Sequence, residues 1–174
     1  TFPSSRIVKL LKRIFIVFNP VARETKNIKL TSTLSVISTV DPVRLYEDFA
    51  TLDLLSGGRT EITLGRGAFL DSFSLFGANV NDYDELFDEK LALFMKLQDE
   101  EVVNWQGEFR TPLREAQIAP RPIQDKLPLW IGVGGTPTSA VRAGRLGANM
   151  ALGLLLGKPE RVQHLTELYW QAAR

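Results

Sequence analysis

The chain has 174 residues, 44% of them apolar, which is enough for one domain with a buried core. Lysine plus arginine number 21 and aspartate plus glutamate 20, so the net charge of +1 gives no electrostatic case for a nucleic-acid partner. There is no cysteine and His164 is the only histidine, which excludes disulfides, thiolate nucleophiles and Cys or multi-His metal sites, and fits a cytoplasmic protein.

The first twenty residues are the least regular part of the sequence. Basic residues between Arg6 and Arg13 precede an apolar run, Ile14 to Phe18, of five residues. A secretory signal needs about seven to fifteen apolar residues and a membrane span about twenty. We therefore predict that residues 1–20 are a separate basic amphipathic helix that packs on the main domain, residues 21–174, and that no membrane is a partner.

After this segment, strands and helices alternate. The β-branched residues of 27–38 predict a strand, and apolar residues at helical spacing predict a helix over 42–58. Asp41 is the predicted N-cap of that helix and Gly57 its left-handed end. A further strand is predicted over 59–65, followed by a long loop.

The second half of the chain continues the alternation. The predicted elements are a helix over 84–99, a rigid linker over 119–128, a strand over 129–135, a helix over 137–146, a strand over 148–156 and a helix from Pro159. This order predicts a parallel sheet with right-handed crossovers, either open and doubly wound or part of a (β/α) barrel. In both architectures, ligands bind at the carboxyl ends of the strands.

Arg66 follows the end of a predicted strand and lies between Gly65 and Gly67. Glycines let the backbone approach a ligand closely, and a guanidinium presents a planar fork of donors that suits phosphate or carboxylate. An ion pair between Arg66 and an acidic side chain at the rim of the sheet fits the sequence equally well. The residue is therefore a candidate anion-binding group with a structural alternative.

The turn after the strand 129–135 is a second candidate anion site. Its run 132–134 lacks the third glycine of a dinucleotide fingerprint, and the segment 153–159 is too short for a Walker loop. Thr136 is a predicted N-cap, so the free amides and the hydroxyls of Thr138 and Ser139 would face an anion beyond the strand. The alternative is an ordinary capped turn between a strand and a helix.

Four segments carry a resemblance to a known family. They are DPVRLYEDFATLDLLSGGRTEITLGRGAF, DYDELFDEKLALFMKL, PRPIQDKLPLWIGVGGTP and RAGRLG, in this order. Through them, residues 22–172 resemble the bacterial luciferase-like flavin-dependent oxidoreductases, nearest to an uncharacterised monooxygenase-like branch. The resemblance implies an α/β fold, a partial (β/α)8 TIM barrel with about four βα units, the third to the sixth of the family. It also implies reduced FMN, or in some branches a deazaflavin, at the carboxyl ends of the strands.

The resemblance assigns the cofactor-binding residues by position. Arg66 matches a contact to the flavin phosphate, and the phosphate cradle is matched by Gly134, Gly135, Thr136, Thr138 and Ser139. Thr33 and Leu34 fall where many members carry a non-prolyl cis peptide bond beneath the isoalloxazine ring. No catalytic residue is identified.

The loop after Arg66 is rich in apolar side chains. Phe69 and Phe73, together with Leu75 and Phe76, are candidates for the wall of an apolar substrate pocket, although such aromatics also serve to pin a loop to the domain.

Charged residues elsewhere are interpreted as structural. Asp53 and Arg59 are expected to form an ion pair and cap at the end of a helix. Asp84, Glu85 and Asp88 lie in a first helical turn, where acids favour the helix dipole.

The resemblance implies an FMN-dependent oxidoreductase in which reduced flavin activates dioxygen to oxidise a small apolar substrate. The alternative is a non-catalytic half-barrel that binds flavin or serves in assembly.

Four consecutive strands would leave 28–37 and 149–156 with unpaired edges. We also expect an exposed apolar inner face drawn from Leu30, Ile62, Leu64, Ile131 and Met150. Because a stable monomer rarely exposes such a surface, we predict a homodimer or a larger assembly.

Overall fold

The structure is a computed structural model that describes residues 14–32, 34–68, 70–154 and 158–174. Its helices and strands in chain order are α1 (Ile14–Glu24), β1 (Leu30–Thr31), β2 (Ser35–Val36), α2 (Pro42–Ser56), β3 (Thr60–Gly65), α3 (Asp71–Leu75), α4 (Tyr83–Asp99), β4 (Val102–Trp105), β5 (Leu113–Gln117), β6 (Leu129–Val133), α5 (Pro137–Arg145), β7 (Asn149–Leu152) and α6 (Gln163–Ala172). Short 3-10 turns occupy Ile37–Thr39, Val80–Asp82 and Pro159–Val162.

A curled sheet of parallel strands forms the centre of the fold. Both β1 and β2 pair with β3, β3 pairs with β6, and β6 pairs with β7, all in parallel. This order confirms the predicted α/β class and the predicted parallel sheet. Because all strands run in the same direction, their carboxyl ends meet at one edge.

The segment that the sequence predicts as one strand over 27–38 contains two short strands, β1 and β2. Between them, the hydroxyl of Ser32 donates to the carbonyl oxygen of Thr63 at 3.3 Å and accepts from the hydroxyl of Ser35 at 3.1 Å. Side-chain bonds thus take the place of the backbone ladder at the break.

A two-stranded antiparallel hairpin, β4 with β5, follows α4 and is not among the elements that the sequence predicts. Only Val103 in these two strands is buried, so they lack a regular alternation of buried apolar and exposed polar residues.

Both ends of α2 follow the sequence prediction. The Asp41 carboxylate accepts hydrogen bonds from the amides of Val43, at 2.9 Å, and Arg44, at 3.2 Å. At the other end, Gly57 has a φ of 69°, the left-handed conformation that favours glycine.

The first helix does not end where the sequence predicts. α1 continues through Pro20 to Glu24, beyond residue 20, where the predicted N-terminal helix ends. The part of that predicted helix before Ile14 lies outside the described residues. The ring of Phe15 packs edge-to-face on that of Phe49 in α2, with centroids 4.8 Å apart, and Ala22 is buried against β1 and α2. This packing offsets the hydrogen bond that proline removes from a helix.

The two faces of the sheet differ from the expected arrangement. Ile62, Leu64 and Ile131 are at most 1% exposed and pack beneath the helices, Leu30 is 3% exposed in a smaller cluster below α1 and α2, and Met150 packs against the same core as Ile131. The expectation that these residues form an exposed inner face is therefore wrong. The alternation of residues along each strand does not by itself indicate which set of side chains faces the helices and which faces the barrel interior.

The opposite, inner face of the sheet is largely polar. The hydroxyls of Thr31 and Thr63 lie 3.2 Å apart, and the indole Nε1 of Trp130 donates to a carboxylate oxygen of Glu61 at 2.8 Å. Water can solvate such a face at low cost.

Asp53 is fully buried and joins three segments of the chain. One carboxylate oxygen accepts from the Thr60 amide at 3.2 Å and from the Gln124 side chain at 2.8 Å, and the other accepts from the amides of Ile123 and Gln124. The end of α2, the start of β3 and the linker 119–128 therefore meet at one side chain.

The expected ion pair between Asp53 and Arg59 does not form. The Arg59 guanidinium instead donates to the carbonyl oxygens of Ser56, Ala22, Thr25 and Ile28 and to the Thr25 hydroxyl. Both residues are structural, as predicted, but each is satisfied mainly by backbone groups. Arg59 thereby attaches the end of α1 to the beginning of β3.

Replacement of Asp53 by alanine is expected to lower the free energy of unfolding by about 3 kcal/mol or more, because several amide donors lose their buried acceptor. Urea denaturation of Asp53→Ala measures the effect, and Asp125→Ala, at an exposed position in the same linker, is the matched control. Equal unfolding midpoints for the two variants would contradict the structural role given to Asp53.

Candidate functional site

Arg66 lies at the carboxyl-end edge of the sheet, where it meets the start of α5. β3 and β6 are neighbours, so the residue after β3 faces the turn after β6. One guanidinium nitrogen, Nη2, donates to the hydroxyls of Thr136, at 2.9 Å, and Ser139, at 3.1 Å. The structure therefore brings three of the predicted site residues together.

The same guanidinium also has an acidic partner. Its Nη1 pairs with Asp84 at 2.5 Å, and its carbon atom lies 5.2 Å from the centroid of the Tyr83 ring. The phenol of Tyr83 donates to the carbonyl oxygen of Gly67. Asp84, which the sequence placed only at a helix start, thus belongs to the site, and Arg66 combines an ion pair with contacts to the α5 hydroxyls.

The start of α5 differs in detail from the predicted cap. Thr136 occupies the N-cap position, but its hydroxyl accepts from Arg66 and makes no capping bond. The amide of Ser139, predicted to be free, donates to the carbonyl oxygen of Thr136 at 3.1 Å. Within the ranges that the structure describes, the Thr138 amide has no acceptor, so one helix-start amide remains for a ligand.

Gly134 and Gly135 form the turn between β6 and α5. Gly135 has a φ of 129°, which strains any residue with a side chain, and a Cβ at either glycine would have no atom of the described chain within 4 Å. The turn borders a cleft of about 460 Å³, whose other lining residues are Gly153, Leu154, Arg161, Val162, His164 and Leu165. Sequence reasoning missed these residues, although the rule that points to strand ends also applies to Gly153 after β7.

Leu34 lies on the inner face at the same edge. Its side chain covers Gly65 at the end of β3 and Gly132 in β6. Thr33 and Phe69, two further predicted site residues, lie outside the described residues. The predicted cis bond between Thr33 and Leu34 therefore stays a prediction.

The loop after Arg66 uses Phe73 for packing. Phe73 is 1% exposed and its ring centroid lies 5.4 Å from that of Tyr83. By contrast, Leu75 and Phe76 are 64% and 51% exposed. For Phe73 the structure thus favours the packing alternative over the wall of a substrate pocket.

The described part of the chain lacks two other kinds of feature. No helix there has both the length and the apolar character needed to cross a bilayer. In the same residues, no group of three or more histidine or acidic side chains is placed to bind a metal ion.

The sequence matches a family model described as luciferase-like monooxygenase over residues 15–174. Among curated proteins, the F420-dependent glucose-6-phosphate dehydrogenase of Amycolatopsis mediterranei is 34% identical over 131 residues. That alignment covers 73% of this chain and 38% of the relative.

Solved structures share the fold. The monooxygenase RslO1 from Streptomyces bottropensis superposes with a TM-score of 0.85 and 27% identity, over 92% of this chain and 49% of the other. The oxygenating constituent of 3,6-diketocamphane monooxygenase from Pseudomonas putida, solved in complex with FMN, gives a TM-score of 0.75 at 20% identity, over 91% of this chain and 47% of the other. The chain thus spans about half, or less, of the length of these proteins, and the prediction of a partial (β/α)8 barrel is confirmed.

The buried position of Phe73 leads to a stability prediction. Phe73→Ala is expected to lower the free energy of unfolding by about 3–5 kcal/mol, because it leaves a cavity beside Tyr83. Leu75→Ala, at an exposed position of the same loop, is the control and should change it by less than about 0.5 kcal/mol. Chemical denaturation compares them, and similar losses in both variants would show that Phe73 does not pin the loop.

Proposed function

The chain belongs to the luciferase-like monooxygenase family, and from this we propose that it is an FMN-dependent oxidoreductase. In this proposal a cluster formed by Arg66, Thr136, Thr138 and Ser139 binds the flavin phosphate. The supporting observation is that Arg66 donates hydrogen bonds to the hydroxyls of Thr136 and Ser139, beside the turn of Gly134 and Gly135. These residues come from two adjacent strand ends, where barrels of this kind bind ligands.

The donors of the cluster suit a phosphate group. A guanidinium has five N–H groups, and three contacts, to Asp84, Thr136 and Ser139, leave two without an acceptor in the described part of the chain. The Thr138 amide adds a donor at the start of α5, where the helix dipole favours an anion. No described residue places an atom within 4 Å of a Cβ built on Gly134 or Gly135, so a ligand can approach the backbone there.

A bound reduced flavin would supply the electrons for reaction with dioxygen or for hydride transfer. In this proposal Arg66 and the start of α5 hold the phosphate, Leu34 supports the ring, and the protein leaves the redox chemistry to the cofactor. Both FMN and the deazaflavin F420 occur in the names of similar proteins, so a deazaflavin is the alternative cofactor. The proposed substrate is a small apolar molecule, and the proposed location is the cytoplasm.

One observation favours a second role, in assembly. In the described part of the chain, β1 with β2 has β3 as its single neighbour, and β7 has only β6. Backbone groups at both edges are therefore available to further strands. We propose that two copies, or a larger assembly, cover these edges. A half-barrel that binds flavin without catalysis would satisfy the same geometry.

The phosphate assignment predicts a selective loss of affinity. Arg66→Ala removes charge-assisted hydrogen bonds worth about 1.5–3 kcal/mol, so FMN binding should weaken about tenfold to a hundredfold. Riboflavin, which has the same ring without the phosphate, should be little affected. Fluorescence titration of both flavins measures this, with the exposed Arg44→Ala as control. Equal FMN affinities in wild type and Arg66→Ala would exclude Arg66 as a phosphate ligand.

The open edges predict self-association. Sedimentation velocity over a dilution series should show dimers or larger species that dissociate as the concentration falls. A monomer that persists at micromolar concentration and unfolds cooperatively would contradict the assembly proposal, because its edges would then be covered within the chain.

A further inference from the structure

Leu34 lies directly on the backbone of two adjacent strands. A Cβ added to Gly132 would lie 2.5 Å from Leu34 Cδ1, and a Cβ added to Gly65 would overlap the same methyl group. Carbon atoms pack at about 3.5–4.0 Å. The methyl group would therefore have to move by about 1 Å to admit a side chain at position 132.

The two glycines belong to one level of the inner face. The register pairs Leu64 with Ile131, so the next residues, Gly65 and Gly132, follow side by side. Further down the same face lie the polar side chains of Thr31, Glu61 and Thr63 and the indole of Trp130, whose Nε1 donates to Glu61. Leu34 thus presents a half-buried apolar group at the carboxyl-end edge, above a layer of mainly polar groups.

This apolar group is adjacent to the proposed phosphate site. Gly65 directly precedes Arg66, and Gly132 lies two residues before Gly134. A half-buried apolar surface next to a cluster of anion donors matches a ligand that has both an apolar ring and a phosphate.

On the basis of the proposed function, we infer that Gly65 and Gly132 are positioning residues that form a socket for Leu34. The socket sets how far the leucine projects from the sheet, and through it the depth at which a flavin ring can bind. Larger residues at either glycine would raise Leu34 into the space of the ring without touching the phosphate donors.

The socket predicts a pattern of flavin affinities that differs from the pattern expected when a phosphate ligand is lost. Gly132→Ala should weaken the binding of FMN and riboflavin by the same factor, at least about tenfold, since an overpacked contact is costly. Gly65→Ala should behave in the same way. Arg66→Ala, by contrast, should affect FMN alone.

A second substitution tests whether the effect passes through Leu34. In a Leu34→Ala background, Gly132→Ala should cause no further loss of flavin affinity, because the overlapping methyl group is gone. If Gly132→Ala alone fails to fold, Leu34→Ala should restore its unfolding midpoint for the same reason. The matched control is Gly144→Ala in α5, where the added Cβ meets the carbonyl oxygen of Tyr169. Its destabilisation should not be relieved by Leu34→Ala.

The outcomes separate the two proposals. Flavin affinity that is unchanged in Gly132→Ala, or a loss that Leu34→Ala does not relieve, would overturn the socket while leaving flavin binding intact. Failure of the wild-type protein to bind either FMN or F420 would overturn the proposed function and the socket with it.

Discussion

The candidate site depends on the parallel pairing of β3 with β6. This register, in which Leu64 lies opposite Ile131, brings the end of one strand beside the end of the other. Arg66 can therefore reach α5 although 70 residues separate it from Thr136. A shift of register by a single residue would exchange the inner and outer faces and separate the guanidinium from its partners. The same pairing aligns Gly65 with Gly132, so the anion donors and the apolar surface of Leu34 have one structural origin.

Polar side chains fix the strands in this position. The Asp53 carboxylate accepts hydrogen bonds from amides at the start of β3 and in the linker before β6, while Arg59 attaches α1 to the same strand. Each group replaces water at a place where the backbone would otherwise be unsatisfied. At the opposite end of β3, Arg66 joins the sheet to α4 and α5 through Asp84, Thr136 and Ser139. The strand is thus held at both ends by arginines, of which only Arg66 is proposed to bind a ligand.

Features with a local cause could be predicted from the sequence. Asp41 and Gly57 end their helix through contacts within a few residues, and the alternation of strands and helices defined the parallel sheet. Features that depend on distant partners could not. Gln124, which bonds to Asp53 across 71 positions, has no local signal. The same holds for the continuation of α1 past Pro20, which is accompanied by packing of α1 on α2.

The candidate site shows the same division. Strand ends pointed to Arg66 and to the turn of Gly134 and Gly135, because in a parallel sheet they meet at one edge. Which acidic side chain pairs with Arg66 could not be predicted, because Asp84 lies on a different element. The contact of Leu34 with Gly65 and Gly132 likewise depends on the register of β3 and β6, and no sequence pattern indicates it.

The polar inner face has a consequence for where the stability of the fold resides. The apolar core lies between the sheet and its helices, where Ile62, Leu64 and Ile131 are buried. Burial of apolar surface is the dominant favourable term in folding, and here it is obtained mainly on the helix side of the sheet. The side chains that stabilise the sheet are therefore largely distinct from those that face its interior.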